Sequence, residues 1–130
     1  MTTDHNLYGV LRTAFEHRLD SPFHCAPGAP PRTSGEIDEL SARYAGLLVS
    51  LGLETGDRVV VQVGKSAAAV AFYLACLRTG IVYVPLNTAY TTGELEHFLE
   101  DAQPRLFVGM PSRLAELEDL LHRTGVEFAL

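Results

Sequence analysis

Apolar positions recur with helical period in two stretches near the start of the chain. The first has apolar side chains at the i, i+3, i+4 and i+7 spacing that places them on one face of a helix, namely Leu7, Val10, Leu11, Ala14 and Phe15. The second continues until Gly52 and contains Ile37, Leu40, Tyr44, Leu47, Leu48 and Leu51. The pattern therefore predicts two amphipathic helices.

Proline and glycine interrupt the chain between these two helices. The run Ala26–Pro31 has the composition of a loop, and short segments at Pro22–Cys25 and Arg32–Ser34 flank it. We therefore expect a small hairpin. Thr33 and Glu36 have the spacing of a capping box, which predicts the start of the second helix.

The middle of the chain is almost wholly apolar. Val59–Val63 is short and β-branched, which predicts a strand buried on both faces. Ser66–Leu77 is apolar all round, as in a helix covered on both sides, and Gly80 follows as its stop signal. Ile81–Val84 predicts a second buried strand, ended by Pro85. A strand, a helix and a strand with short connections predict a parallel, right-handed βαβ unit.

The same alternation continues to the end of the chain. Thr91 and Glu94 form a second capping box before a helix whose apolar face comprises Leu95, Phe98, Leu99 and Ala102. Arg105–Gly109 predicts a strand, Pro111 opens a leucine-rich helix, and Val126–Leu130 predicts a final strand. These elements predict an α/β fold with a parallel sheet, flanking helices and a small N-terminal hairpin. No linker divides residues 1–130, and we expect the sheet to continue into further sequence.

Composition narrows the class of protein. The chain has 130 residues, of which 47% are hydrophobic and 20% charged, and these are globular values. The net charge of −6 and the absence of a basic stripe argue against nucleic acid as a partner. No apolar run approaches the roughly 20 residues that span a bilayer. Cys25 and Cys76 are isolated, which is typical of free thiols in a reducing compartment. We expect a cytoplasmic protein without membrane contact.

One short motif resembles a phosphate-binding loop but lacks its spacing. Gly64, Lys65 and Ser66 lie between a predicted strand and a predicted helix. A phosphate loop also needs a glycine five residues earlier, where Val59 stands inside the strand. We therefore predict that Ser66 is an N-cap and that Lys65 is solvated.

No pattern in the chain predicts a catalytic or metal site. The histidines at positions 5, 17, 24, 97 and 122 and the two cysteines lack the spacing of metal ligands. Solvated helix faces account for the two acidic groups, which are Glu94, Glu96, Glu100 and Asp101, and Glu116, Glu118 and Asp119.

The segment Asn87–Tyr90 follows the carboxyl end of a predicted parallel strand, where open α/β sheets bind ligands. Its small side chains would let a ligand approach the backbone. The alternative is an ordinary loop that only leads to the cap at Thr91. The residues alone leave both interpretations open.

A set of short motifs nevertheless resembles the opening of the adenylate-forming acyl-CoA synthetases. The matching segments are Leu40–Ala45, Gly52–Leu53, Gly56–Val59, Lys65–Ser66, Tyr73–Ala75, Gly80, Pro85–Thr91, Glu94–Leu95, Asp101–Ala102 and Pro104. Within that superfamily, Val61–Ser66 and Leu86–Thr91 look most like malonyl-CoA and methylmalonyl-CoA synthetases. One departure is Ser34, where the family usually has an aromatic residue, and we expect looser packing of the hairpin there.

The resemblance implies a reaction and a ligand position. Such enzymes join a small carboxylate to ATP, with Mg, and pass the acyl group to coenzyme A. The family's phosphate loop, adenine and carboxylate pockets and catalytic lysine have no counterpart here, so the resemblance implies no catalytic residue, no metal ligand and no cofactor bound by this segment alone. It places Thr88 and Ala89 beside the tunnel for the pantetheine arm of coenzyme A.

Two hypotheses follow. In the first, the chain is a truncated N-terminal portion of a malonyl-CoA-synthetase-like ligase and is inactive alone. In the second, it is an interaction half-domain that docks on a separately encoded remainder, or on a second copy, through a sheet edge. An unrelated nucleotide-binding α/β domain is disfavoured because no glycine-rich nucleotide motif occurs.

Overall fold

The structure is a computed structural model that describes residues 5–24 and 26–130. The predicted free thiol Cys25 lies outside the described residues. The chain divides into two compact units. Unit 1 contains the described residues up to Glu54 together with Lys65–Gly80, and unit 2 contains Thr55–Gly64 and Ile81–Leu130. The assignment of residues 1–130 to a single subdomain stays a prediction.

Unit 1 is a group of helices with a small hairpin. Its elements are α1 (Leu7–Phe15), a 3-10 helix (Glu16–Arg18), β1 (Pro22–His24), β2 (Arg32–Thr33), α2 (Ser34–Ser50) and α3 (Ala67–Thr79). Strands β1 and β2 are antiparallel, which confirms the predicted hairpin. A core of Ile37, Ala71 and Leu74 joins α2 to α3. Apolar side chains at helical spacing thus form this unit as their pattern predicts.

The predicted helix starts and stops of unit 1 are confirmed. Thr33 and Glu36 form a capping box in which the Glu36 N–H donates to Thr33 Oγ1 at 3.2 Å and the Thr33 N–H donates to the Glu36 carboxylate at 2.9 Å. Ser66 is the N-cap of α3, and Gly80 ends that helix with a left-handed φ of 73°. Glycine adopts that conformation without a side-chain clash, which is why the helix stops there.

Unit 2 is built on a parallel sheet. Its elements are β3 (Arg58–Gln62), β4 (Val82–Pro85), α4 (Thr92–Ala102), β5 (Leu106–Gly109), α5 (Pro111–Arg123) and β6 (Phe128–Ala129). The strand order is β4-β3-β5-β6, and every neighbouring pair is parallel. The α/β fold with a parallel sheet is therefore confirmed.

The core of unit 2 contains α4, α5 and the central strands. One cluster of buried side chains there comprises Val60, Leu95, Leu99, Phe107, Leu117, Leu120 and Leu121. Arg58 reaches the end of α4, where its Nε donates to the Ala102 carbonyl at 2.7 Å and its Nη2 donates to the Gln103 carbonyl at 3.1 Å. These bonds satisfy carbonyl groups that a helix end leaves without partners.

The prediction that the second central strand is buried is wrong. Strand β4 lies at one end of the sheet order and pairs only with β3. Val82 is 46% exposed, whereas Ile81, just before the strand, is 4% exposed. Pro85 is part of β4, opposite Val61. An edge strand tolerates proline because one side of its backbone needs no sheet partner.

Among the described residues, no helix is both long enough and apolar enough to cross a membrane.

Candidate functional site

The segment Asn87–Tyr90 forms a tight turn after β4. The Tyr90 N–H donates to the Asn87 carbonyl at 3.1 Å, which closes the turn. The Ala89 N–H donates to Asn87 Oδ1 at 2.9 Å, a local bond typical of asparagine in turns. Thr88 and Ala89, which we call the apex of the turn, are exposed. The two predicted site residues therefore lie together on an accessible surface.

A buried glutamine at the end of β3 contacts this turn. Gln62 is 1% exposed. Its Nε2 donates to the Asn87 carbonyl at 2.9 Å and approaches the Tyr90 carbonyl at 3.5 Å. A buried amide costs free energy unless its polar atoms are bonded, and here the turn supplies the acceptors.

An arginine from α5 completes the contact. Arg113 Nη1 donates to Gln62 Oε1 at 3.1 Å and to the Tyr90 carbonyl at 3.3 Å. Its Nε lies 3.8 Å from a Glu116 carboxylate oxygen. The carbonyl oxygens at the two ends of the turn thus face donors from two different elements.

The chain that follows the turn is also fixed. The Tyr90 ring stacks on Phe98 of α4 with a centroid distance of 5.2 Å and an interplanar angle of 17°. The predicted capping box of Thr91 and Glu94 is present. These contacts hold the chain on the C-terminal side of the turn.

The Gly64–Lys65–Ser66 motif behaves as predicted. Ser66 Oγ accepts a hydrogen bond from the Ala69 N–H at 3.0 Å, and the Lys65 side chain is exposed. The sequence lacks the earlier glycine, and the structure uses the serine as a helix cap.

The acidic side chains of the two predicted groups are either caps and ion-pair partners or exposed. Glu94 completes a capping box, and Glu96 pairs with Arg123. Glu100, Asp101, Glu118 and Asp119 are exposed, as predicted. In the part of the chain that the structure describes, no group of three or more His, Cys, Asp or Glu side chains is arranged to hold a metal ion.

Cys76 is fully buried in α3. Burial raises the pKa of its thiol to about 12, because an apolar surrounding disfavours the thiolate. The thiol therefore fills space and is not a nucleophile at neutral pH.

A polar cluster in unit 1 was not predicted. The Tyr8 hydroxyl donates to Asp38 Oδ1, and the Arg78 guanidinium lies 4.4 Å from the centre of the Tyr8 ring and 3.2 Å from the same carboxylate. Burial and the bond to Asp38 raise the pKa of Tyr8. The cluster joins α1, α2 and α3, and we assign it a structural role.

Sequence reasoning also missed Gln62 and Arg113 as parts of the site. One signal was available, since Gln62 is the one residue other than valine in the predicted strand Val59–Val63. Arg113 gave no signal, because an arginine in a helix usually lies on a solvated face.

Comparison with known proteins finds one matching family and several similar sequences. Residues 16–127 match the family described as AMP-binding enzyme. The chain is 32% identical over 114 residues to FR901469 synthetase of Dothideomycetidae sp. (strain 11243), covering 85% of this chain and 1% of that protein. It is 29% identical over 111 residues to "Probable CoA ligase CCL9" of Humulus lupulus, covering 85% of this chain and 21% of that protein.

The chain is also similar in fold to solved structures. Apo MatB from Rhodopseudomonas palustris has 36% sequence identity and a TM-score of 0.79, covering 96% of this chain and 25% of that chain. A benzoate CoA ligase from Burkholderia xenovorans LB400 has a TM-score of 0.86 at 21% identity, which shows the shared fold. The matched region lies in the N-terminal domain of such ligases. This chain spans about a quarter of either structure, 25% and 26%. The chain belongs to the family of AMP-binding enzymes.

Proposed function

We propose that the chain forms the opening subdomain of an acid–thiol ligase that resembles malonyl-CoA synthetase. The observation that carries this proposal is the 36% identity to MatB over 96% of the chain. Shape alone does not favour any acid, because the benzoate ligase has a higher TM-score of 0.86 with only 21% identity.

The proposed reaction has two steps. A carboxylate oxygen attacks the α-phosphorus of ATP, giving an acyl-adenylate and pyrophosphate. The thiol of coenzyme A then attacks the acyl carbon, a thioester bond forms, the bond from the acyl carbon to the AMP oxygen breaks, and AMP and the thiol proton leave. ATP would enter as its Mg complex. We assign no chemical step to a side chain of this segment.

The contribution of the segment is to line the path of the thiol. The apex carries a threonine and an alanine, both small and both exposed. A slender pantetheine arm is able to pass such a surface close to the backbone. The rigidity of the turn would keep that path open, which lowers the entropy lost when the arm binds.

We further propose that the 130-residue polypeptide does not form an acyl-adenylate. Positioning and charge stabilisation of the transferring group need several converging donors. The test is pyrophosphate release from ATP with malonate, methylmalonate or acetate. Sustained turnover by the purified polypeptide would contradict this part of the proposal.

The carboxylic acid substrate of the proposed ligase is best identified with a polypeptide that extends beyond this segment. The DNA downstream of the codon for Leu130 should continue the reading frame and encode a loop of the Thr-Ser-Gly-Thr-Thr-Gly type. The polypeptide encoded by that longer frame should then prefer malonate or methylmalonate to acetate. A stop codon with no related coding sequence nearby would argue against the ligase proposal.

The position of Thr88 and Ala89 beside the thiol is tested by added bulk. We expect Ala89→Phe, placed in a chimera of this chain with the remainder of MatB, to raise the KM for coenzyme A. A steric cost of about 1–3 kcal/mol corresponds to about a 5- to 150-fold effect. Pyrophosphate release without coenzyme A should not change. Ala89→Ser is the matched control. An unchanged KM in the phenylalanine variant would contradict the proposal that Thr88 and Ala89 lie beside the pantetheine arm.

A second candidate is an interaction module. Strand β6 pairs with β5 on one side, and beside it a groove of about 410 Å³ lies between α5 and β6. Unpaired strand edges favour association. Light scattering should then show a dimer, or a complex when a separately encoded remainder is added. A monomer in both samples would contradict the interaction module and favour the ligase proposal.

The cytoplasmic location expected from the sequence stays a prediction.

A further inference from the structure

We propose that Gln62 and Arg113 are positioning residues that hold the Asn87–Tyr90 turn in one conformation, so that its apex presents a fixed surface to a ligand. This inference rests on the proposed function and adds to it the side chains that fix the ligand path.

The first argument is the free-energy cost of burying the side-chain amide of Gln62. The strand positions before Gln62 are Val59, Val60 and Val61, all buried at 3% exposure or less. Another valine would fill the space at Gln62 without burying an amide. A buried amide is favourable only where its bonds to protein groups replace those lost to water. Here the groups gained include the Asn87 carbonyl at 2.9 Å.

The second argument is that the glutamine has only one orientation. A guanidinium group donates hydrogen bonds and accepts none, so the atom that faces Arg113 must be Oε1. That leaves Nε2 for the turn, where it meets the carbonyls of Asn87 and Tyr90 at 2.9 and 3.5 Å. Arg113 therefore sets the direction of the Gln62 amide, and the amide sets the position of the turn.

The third argument is the position of the arginine. Arg113 lies in the first turn of α5, which begins at Pro111. A positive charge near a helix N-terminus is unfavourable, because the helix dipole places partial positive charge there. The bonds of Arg113 Nη1 to Gln62 at 3.1 Å and to the Tyr90 carbonyl at 3.3 Å offset that cost. The ion pair of Arg113 with Glu116, at 3.8 Å and three residues along the helix, contributes only about 0.2–0.5 kcal/mol to the helix.

Both ends of the turn are consequently held by their carbonyl oxygens, while Thr88 and Ala89 stay exposed between them. Loss of either side chain would leave turn carbonyls with fewer donors. The turn would then sample other conformations, although the strands and helices around it remain folded.

The test measures motion of the apex directly. Backbone ¹⁵N relaxation of the 130-residue chain gives order parameters for Thr88 and Ala89. We expect order parameters of about 0.85, typical of rigid backbone, in the unsubstituted chain and values below about 0.6 in Gln62→Leu and Arg113→Met. Residues of β3 and β5 in the same samples should keep their values, which separates a local effect from general unfolding.

Arg123→Met is the matched control. Arg123 lies on the same helix and pairs with Glu96 instead of the turn. Its loss should leave the apex rigid. Should Gln62→Leu fail to fold, the partly exposed Arg113→Met still decides the question. An apex that stays rigid in folded Arg113→Met would overturn the inference.

Titration with pantetheine separates this inference from the proposed function. Shifts of the Thr88 and Ala89 amide signals in the unsubstituted chain, weaker in Arg113→Met but not in Arg123→Met, would support both. A mobile apex in Arg113→Met, with no pantetheine binding by the unsubstituted chain, would support positioning and count against the thiol path. Pantetheine binding with a rigid apex in every variant would overturn positioning alone.

Discussion

Gly109 at the end of β5 has no room for a side chain. A Cβ atom placed on it would lie 2.5 Å from Cε1 of Phe107, whose side chain is fully buried. Gly109→Ala must therefore displace a packed ring, and we expect a loss of about 1–3 kcal/mol in the free energy of unfolding. Urea denaturation measures this quantity.

Gly93→Ala is the control for this substitution. Gly93 lies in α4, and a Cβ there meets nothing within 4 Å. Alanine is favoured over glycine by about 0.5–1 kcal/mol in a helix interior and by less in the first turn, so this variant should lose no stability relative to the parent. Equal effects of the two substitutions would contradict the role assigned to the Phe107 ring.

The Cys76 thiol gives a second prediction for a single residue. Burial raises its pKa from 9.0 to about 12. The thiolate is the reactive form, so each pKa unit lowers its fraction about tenfold at neutral pH. In a Cys25→Ser variant, we expect disulfide-exchange labelling of Cys76 to be more than tenfold slower in the folded protein than in urea, because the thiolate fraction falls and burial blocks the reagent, although a higher pKa makes the remaining thiolate more nucleophilic. Comparable rates in both states would show that the thiol is accessible.

Individual elements depend on short-range bonds that were read from the sequence. The capping box at the start of α2 is the clearest case, because both of its bonds are present. Thr33→Ala removes the acceptor for the Glu36 N–H and should cost about 1 kcal/mol of stability. Urea denaturation again provides the measurement.

Thr13→Ala serves as the control for this variant. Thr13 lies inside α1, where its hydroxyl donates to the Gly9 carbonyl at 3.0 Å and alanine is a good helix former. We expect it to be neutral or slightly stabilising. If both threonine variants lost the same stability, the cap at Thr33 would not be the cause.

Whether a segment is a helix or a strand was more predictable than how deeply that element is buried. Periodicity and caps predicted the helices, because such signals arise between residues a few positions apart. The predicted burial of β4 was wrong, since a valine-rich run does not reveal whether a strand has one neighbour or two. Val82 at 46% exposure shows the consequence of a place at the sheet edge.

At the largest scale, an ion-pair network joins distant parts of the sequence within unit 2. Arg105 Nη1 donates to Asp57 at 2.8 Å, and Arg105 Nη2 donates to Glu127 at 2.9 Å. Hydrogen bonding from Arg105 lowers the pKa of Glu127, and the pair raises the pKa of Arg105 in return. Both shifts favour the charged forms.

The sign of the resulting pH dependence follows from the Glu127 pKa. The pair stabilises the protein fully above the ordinary glutamate pKa, and this contribution is lost as the pH falls through the lowered pKa of the folded state. We expect Glu127→Gln to be less stable than the parent at pH 7 and the difference to disappear in acid. Urea midpoints measured from pH 7 to pH 3 check this. A constant difference across the range would contradict it, and Glu118→Gln, at an exposed position, is the control.

The sequence suggested some residues of the candidate site, and only the structure showed the others. The sheet rule offered the loop after β4 as one of two interpretations, and only the family resemblance singled out Thr88 and Ala89, whose role stays a prediction. Gln62 and Arg113 were not, since their bonds join residues 25 and 51 positions apart.

The sequence by itself determined the helices, their caps, the parallel α/β class and the family resemblance. Each of these follows from local spacing or from motifs in order along the chain. Only the tertiary structure decided the strand order β4-β3-β5-β6, the exposure of β4 and the contacts that hold the turn. Such features depend on contacts between residues that are far apart in the sequence. The free energy of those contacts cannot be read from any single segment of the chain.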